Sequence, residues 1–330
     1  MVNGAPGSAW ASLVERAGGA DARADAADLR VFGTPADDDP TPLTDQHLFD
    51  LASLTKIFTT VAALRLVDAG SVDLDAPVAD ALAVGIGDRA GSITLRQLLT
   101  HTSGLPAEGG AWRTGLRGEE LRAVVLRSAL LAYPGTVHRY SDVGFIAVGE
   151  LLERVSGRSL TELVGEVAAL LGATSLTWTP EPDRTVATEV QPHRGLVRGE
   201  VHDELAHALG RPAGHAGLFG SVHDVAALAR MVRDGGFGAD GRVLSERSIR
   251  LMTTPAAPAD GFEQAVGLRV RDRSWMGEAD AVGHTGFTGT AFAVSARSGS
   301  YGVLLLNRVH PTREGTDVAA VRRSFFASLR

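Results

Sequence analysis

Residues 50–60 read DLASLTKIFTT, and Lys56 within them is the only lysine of a 330-residue chain that carries 32 Lys and Arg side chains, all the others arginine. Ile57, Val61, Leu64 and Val67 recur at helical spacing and Gly70 supplies a stop, which predicts a helix starting near Ser53. On such a helix Ser53 and Lys56, three residues apart, lie one above the other. At its first turn Ser53 also feels the positive end of the helix dipole. A serine hydroxyl attacks only once its proton has somewhere to go. An amine with a pKa lowered by burial or nearby positive charge can receive it, whereas a guanidinium cannot. One serine three residues before one lysine still arises by chance about once in fifteen at ordinary serine usage, so the pair needs further support.

The bulk composition narrows the setting. Apolar residues make up 44% and charged residues 22%, ordinary for a globular chain of one or two domains. The net charge is −7 and no basic stripe appears, which argues against nucleic acid and anionic membrane as partners. There is no cysteine, hence no disulfide, thiol nucleophile or thiolate zinc site. The first 30 residues lack a basic and apolar leader pattern, and no apolar run nears a membrane span, so a cytoplasmic location is expected.

Along the chain, residues 17–40 are rich in Ala, Asp and Gly and fit either short irregular strands or disorder. LRVFG (29–33) and HLFDLA (47–52) read as strands. Helices are expected at ITLRQLLTHTSGL, with Leu95, Leu98 and Leu99 inward, at VGFIAVGELLERVSG, and at SLTELVGEVAALLG with its Ser159/Glu162 capping box. Residues 177–220 are irregular, followed by helices in SVHDVAALARMVRDGG and SERSIRLM. FEQAVGLRV, TAFAVSA and YGVLLLNRV read as strands, and GTDVAAVRRSFFASLR as an amphipathic helix on their sheet. Strands near both ends with helices between them predict a mixed α/β (α+β) fold: an antiparallel sheet flanked by N- and C-terminal helices, with an inserted mostly helical lobe. The expected division is a sheet domain of residues 1–70 and 221–330 and a helical domain of 71–220, with the active site between them.

Two further stretches can be read with Ser53 and Lys56. In YPGTVHRYSDVGF, Tyr140 is one of only three tyrosines and sits just before a predicted helix. A phenol beside an ammonium can relay a proton, although alone it reads as an ordinary loop tyrosine. In VGHTGFTGTAFAV, Gly286 and Gly289 permit close backbone approach at the entry of an apolar strand, and an edge N–H there could complete an oxyanion hole with the Ser53 N–H.

Taken in order, SLTK (53–56), YSD (140–142) and HTG (284–286) resemble the S-x-x-K, Y-x-N and K/H-T-G motifs of the penicillin-recognising serine enzymes. The branch is that of the class C β-lactamases, family VIII esterases, D-amino-acid peptidases and acyltransferases. The flanks LLTHTSGLP, GHAGLFGSVHDVAALARM and LLLNRVHPTR look like that family too, so the resemblance runs from about residue 45 onward. It implies a β-lactamase/transpeptidase-like fold, Ser53 as the acylated nucleophile, Lys56 as its base or base partner, and Tyr140 as proton shuttle. It also implies an oxyanion hole from the N–H groups of Ser53 and Phe287, with His284, Thr285 and Gly286 facing substrate. Asp142 stands where the family often has asparagine; it could hold Lys56 or an amine-bearing substrate. His284 in place of lysine argues against strong β-lactamase activity.

His202, His207, His215 and His223 fall in one short span, but their spacing is not that of a zinc motif, and loop hydrogen bonding by His202 and Asp203 is expected instead. His101 reads as a helix-end contact. Arg194 and Arg198 are candidates for contact with an acidic substrate, with solvation as the default. The expected activity is hydrolysis or acyl transfer on an ester or amide of a small metabolite, with a D,D-peptidase or weak β-lactamase, or a non-catalytic ligand-binding module on the same fold, as lesser alternatives. The partners expected are a small acyl donor and water, or a small amine or alcohol acceptor, with no metal or cofactor.

Overall fold

The computed structural model describes residues 9–16, 26–85, 87, 89–108, 110–295, 297–314 and 317–329. Its largest element is an antiparallel sheet of eight strands: β1 (Ala9–Arg16), β2 (Ala26–Gly33), β3 (Ala257–Ala259), β4 (Phe262–Gln264), β5 (Arg269–Val270), β6 (Ala281–Thr285), β7 (Ala291–Ser295) and β8 (Tyr301–Leu306). They lie in the order β2-β1-β8-β7-β6-β5-β4-β3. β1 and β8 pair from Trp10 opposite Leu306 to Glu15 opposite Tyr301, so the sheet is closed by residues far apart in sequence.

Every residue of β8 is buried, because both faces of the sheet are covered. Tyr301, Val303 and Leu305 point into the main core, and Leu304 and Leu306 into a second cluster with Trp275, Val318 and Phe326. The second face is closed by α9 (Arg273–Met276) and α10 (Ala319–Phe326), the helix expected to lie on the sheet. On the first face the core continues into α1 (Thr55–Asp68) and α7 (Val222–Arg233), and on through α2 (Leu95–Leu99), α3 (Gly118–Leu126), α4 (Asp142–Ser156), α5 (Leu160–Leu171) and α6 (Glu204–Leu209). α8 (Glu246–Thr253) contributes Ile249 and Met252.

The helix punctuation follows the sequence reading. Ser159 and Glu162 form their capping box, and Gly157 and Gly172 adopt left-handed C-terminal conformations. α1 departs from the one-faced picture: everything from Thr55 to Leu64 is buried, including Lys56, Thr59 and Thr60. Thr59 satisfies its hydroxyl at Thr55 O and Gly214 O, and Thr60 at Lys56 O.

Several strand expectations are corrected. In HLFDLA only Phe49–Asp50 form a ladder, with Phe219–Gly220; the chain then tightens into the 3-10 turn Ala52–Leu54. FEQAVGLRV is two short strands, because Gly267 at φ +79° reverses the chain and Ala265 N–H donates to Leu268 O. Within 17–40, residues 26–33 form β2, an edge strand, while 17–25 lie outside the described residues. His284 is the penultimate residue of β6 rather than the start of a strand. Phe287 lies in the turn to β7 that Gly286 and Gly289 close, with Gly286 N–H on Thr290 O and Gly289 N–H on Gly286 O.

The irregular 177–220 segment is pinned by charge. Glu189 accepts from Arg313 at 2.8 and 2.5 Å and pairs with His202 at 2.9 Å, nearly out of solvent. Burial pushes the Glu189 pKa up, but Arg313 and His202 outweigh it and hold the carboxyl at about 2. The native pKa is depressed, so the stabilisation is complete above the ordinary glutamate value near 4.5 and is lost as pH falls towards 2. Urea unfolding of wild type and Glu189→Gln should therefore show a stability gap at pH 5 that narrows steadily on acidification and vanishes near pH 2. A gap independent of pH would contradict this linkage.

Candidate active site

The 3-10 turn Ala52–Leu54 delivers Ser53 to the mouth of α1. Ala52 holds a left-handed φ of +46°, a conformation that costs a non-glycine residue about 1–3 kcal/mol. What imposes it is on either side. The buried Asp50 carboxylate accepts from Ala52 N–H (2.8 Å) and His202 N–H (2.7 Å). The turn after β6 grips the same segment: Thr288 Oγ1 donates to Asp50 O (2.7 Å) and Thr290 Oγ1 to Leu51 O (3.1 Å). Gly286 lies so close that a Cβ there would fall 2.7 Å from Leu51 O and 2.1 Å from Thr290 Oγ1, so only glycine fits.

Lys56 is fully buried. Its Nζ donates to Ser53 Oγ (3.0 Å) and to His215 O (2.9 Å), and forms an ion pair with Asp142 Oδ1 at 2.6 Å. Two hydrogen bonds to oxygen acceptors and a carboxylate oxygen at 2.6 Å favour the ammonium form of this buried amine. Burial alone would lower the Lys56 pKa, but the charge of Asp142, with Tyr140 beside it, outweighs burial and the net shift is upward. The sequence reading needs a Lys56 pKa lowered by burial or positive charge; with Asp142 against it the shift runs the other way. Asp142, open to either role from sequence, is committed to Lys56.

Tyr140 stands over this pair, its ring centre 5.0 Å from Lys56 Nζ. The extended segment before α4 that carries it is stitched to His101, which sits just past α2 at φ +57°. Arg139 N–H donates to His101 O (2.7 Å) and Ser141 N–H to His101 Nδ1 (3.0 Å), and the His101 ring lies 4.4 Å from that of Tyr140. Burial first, then the charge of Lys56, pushes the His101 pKa far down, which keeps Nδ1 free to accept. His101 is thus both a helix-end contact and the support of Tyr140.

His284 turns inward. It is buried, its ring 6.0 Å from that of Tyr140, with Nδ1 2.9 Å from Thr285 O. Burial, then Arg269 and Lys56, lowers its pKa strongly, so it cannot offer a carboxylate a positive charge. Thr285, Gly286 and Phe287 do face the opening. With Ser53 and Tyr140 they line an open cleft of about 380 Å³ whose remaining wall includes Arg269, Arg308 and Arg322. The Phe287 ring is half exposed, stacked on His202 (5.6 Å) and beneath the Arg308 guanidinium (4.5 Å). None of the three arginines stands out as a site candidate in the sequence, although Arg308 lies within the LLLNRVHPTR flank. Past Gly283 the β5 side of β6 has no strand partner among the described residues, which frees the Phe287 end of the turn.

The other candidates are occupied elsewhere. Arg194 pairs with Glu200 (3.0 Å) and Arg198 with Asp39 (2.7 Å). His202 pairs with Glu189, His215 with Asp203 and His223 with Asp45, and no group of three potential metal ligands occurs among the described residues.

Comparison with known proteins bears on the family and the fold. An Escherichia coli (strain K12) protein provisionally named a D-alanyl-D-alanine carboxypeptidase is 30% identical over 313 residues, covering 82% of this chain and 71% of its own. Among solved structures, EstCE1, titled a hydrolase with promiscuous acyltransferase activity, superposes with a TM-score of 0.78 at 21% identity, covering 98% of this chain and 94% of its own. A class C β-lactamase from Rhodobacter sphaeroides gives 0.75 at 22%, covering 97% and 93%. The family model described as Beta-lactamase matches residues 12–325, and the chain belongs to that family of serine hydrolases.

Proposed function

We propose that the protein transfers acyl groups through an ester on Ser53, hydrolysing an ester or amide of a small metabolite. The observation that carries this reading is the buried Lys56 ammonium donating to Ser53 Oγ at the floor of a cavity that Tyr140 also lines. Because Lys56 is a donor here, its part is electrostatic: it orients Ser53 and steadies negative charge developing nearby. The proton moves through Tyr140. As Ser53 Oγ bonds to the substrate carbonyl carbon, its proton passes to the phenol oxygen while the phenol proton goes to the departing alcohol or amine. The second half repeats this with the acceptor: its oxygen or nitrogen bonds to the acyl carbon, its proton goes to Tyr140, and Ser53 Oγ leaves with the phenol proton. The N–H groups of Ser53 and Phe287 receive the carbonyl oxygen in both halves.

The guanidiniums of Arg269 and Arg308 on the cavity wall favour a substrate with a negative group near the scissile bond. Transfer to an amine or alcohol is the second reading, supported by the open cavity and by the likeness to EstCE1.

Brief incubation with p-nitrophenyl acetate should add an acetyl mass to the wild type and none to Ser53→Ala, read by intact-protein mass. Equal labelling of both would remove the reading. Supplied with amines or alcohols, the acyl-enzyme should yield amide or ester if transfer is its role, whereas free acid alone across a broad acceptor set leaves hydrolysis. The monoanion of p-nitrophenyl succinate should react faster than the acetate, with a preference that shrinks as salt is raised. A salt-independent ratio would count against the arginine wall as substrate contact.

A further inference from the structure

We propose that Arg322 acts through the Gly286–Phe287 peptide, polarising it and fixing its plane so that the Phe287 N–H becomes a stronger donor to the substrate oxygen. This rests on the acyl-Ser53 reading above. Arg322, on α10, donates from Nη2 to Gly286 O (2.9 Å) and to Thr290 O (3.0 Å). Thr290 O also accepts from Gly286 N–H (2.7 Å), so the guanidinium spans both ends of the turn and closes it. Gly286 O belongs to the same peptide unit as the Phe287 N–H, and that N–H has no acceptor among the described residues. Arg308 Nε donates to the carbonyl on the other side, Phe287 O (2.7 Å).

Arg322 is an unusual residue to find here. No carboxylate pairs with it among the described residues, and its Nε is buried without a partner. Burial, then the like charges of Arg308 and Arg269, presses its pKa down to about 9, which still leaves it charged at neutral pH. A charge held at that disadvantage must gain from what it touches, and what it touches is backbone carbonyl. Hydrogen bonds to ionised donors are about twice as strong as neutral ones. A bond received at C=O strengthens the N–H of the same peptide, by roughly 10–30% per bond in condensed-phase estimates. The turn needs the restraint as well: it contains two glycines, with Gly289 at φ +124°, and an unrestrained glycine peptide can rotate its N–H away.

The competing role is direct contact with an anionic substrate, because Arg322 also lines the cavity. The two roles separate in experiment. Arg322→Met and Arg322→Gln are acylated with p-nitrophenyl acetate and with the monoanion of p-nitrophenyl succinate. The infrared carbonyl band of acyl-Ser53 is then read using donor labelled with ¹³C at the carbonyl. Removal of a whole oxyanion donor costs about 10²–10³ in rate, so weakening one should slow acylation roughly tenfold. The slowing should be similar for neutral and anionic esters, with KM little changed, and the acyl carbonyl band should move to higher frequency, further for Met than for Gln. Arg322→Gln keeps a donor for the turn and serves if the Met variant does not fold. Slowing confined to the anionic ester, or a band at the wild-type position in a folded variant, overturns the proposal. Wild-type protein that forms no acyl adduct removes the underlying reading instead, and is recognised by the absence of any labelled band.

Discussion

The site depends on a grip between two pieces of chain more than 230 residues apart. Asp50 and Leu51 offer their carbonyls to the hydroxyls of Thr288 and Thr290, and the Asp50 carboxylate ties down Ala52 and His202. Two walls of the cavity hang from this contact: Ser53 on one side, Thr285 to Phe287 on the other. The contact has no slack, because Gly286 already touches the Leu51 carbonyl and Ala52 is bent into a left-handed conformation to meet it. Burial raises the Asp50 pKa, while the two backbone N–H groups it accepts oppose that rise. The same buried group therefore sets the strain before Ser53 and positions the loop behind Phe287.

Around that grip the charges are arranged by pairing depth. Lys56 sits in a fully buried position and keeps its charge because Asp142 and the His215 carbonyl replace the water it has lost. His101 and His284, equally buried but without such partners, are held neutral and serve as acceptor and packing surface for Tyr140. Of three buried titratable residues around Tyr140, one thus keeps its charge and two are held neutral according to their local partners.

Much of this was legible in the sequence, and the reasons are specific. Helices announced themselves where one face is apolar and both ends are punctuated, as in Ser159–Gly172, and the three motifs gave the residues that meet at the cavity. What escaped was set by contacts distant along the chain. FEQAVGLRV reads as one strand because nothing local shows that Gly267 must turn back to fit against Thr60. The protonation of Lys56 could not be read from burial alone, since its sign is decided by Asp142 across the fold. Arg269, Arg308 and Arg322 sit among 31 arginines, and it is the sheet order together with the closure of α10 over it that brings a strand residue, a strand-end residue and a helix residue to one site.

The pairing of β1 with β8 has a temporal consequence. Trp10 and Leu306 are neighbours in the ladder, so this sheet cannot close during synthesis until almost the whole described chain has been made. Long-range strand pairing of this kind is slow, since the loop entropy is lost before the contacts return it. The helix bearing Ser53 and Lys56 is available long before the Thr288–Thr290 turn that completes its cavity. Ser53 is thus made early and its cavity completed last, and a partly synthesised chain holds the serine without the turn that faces it.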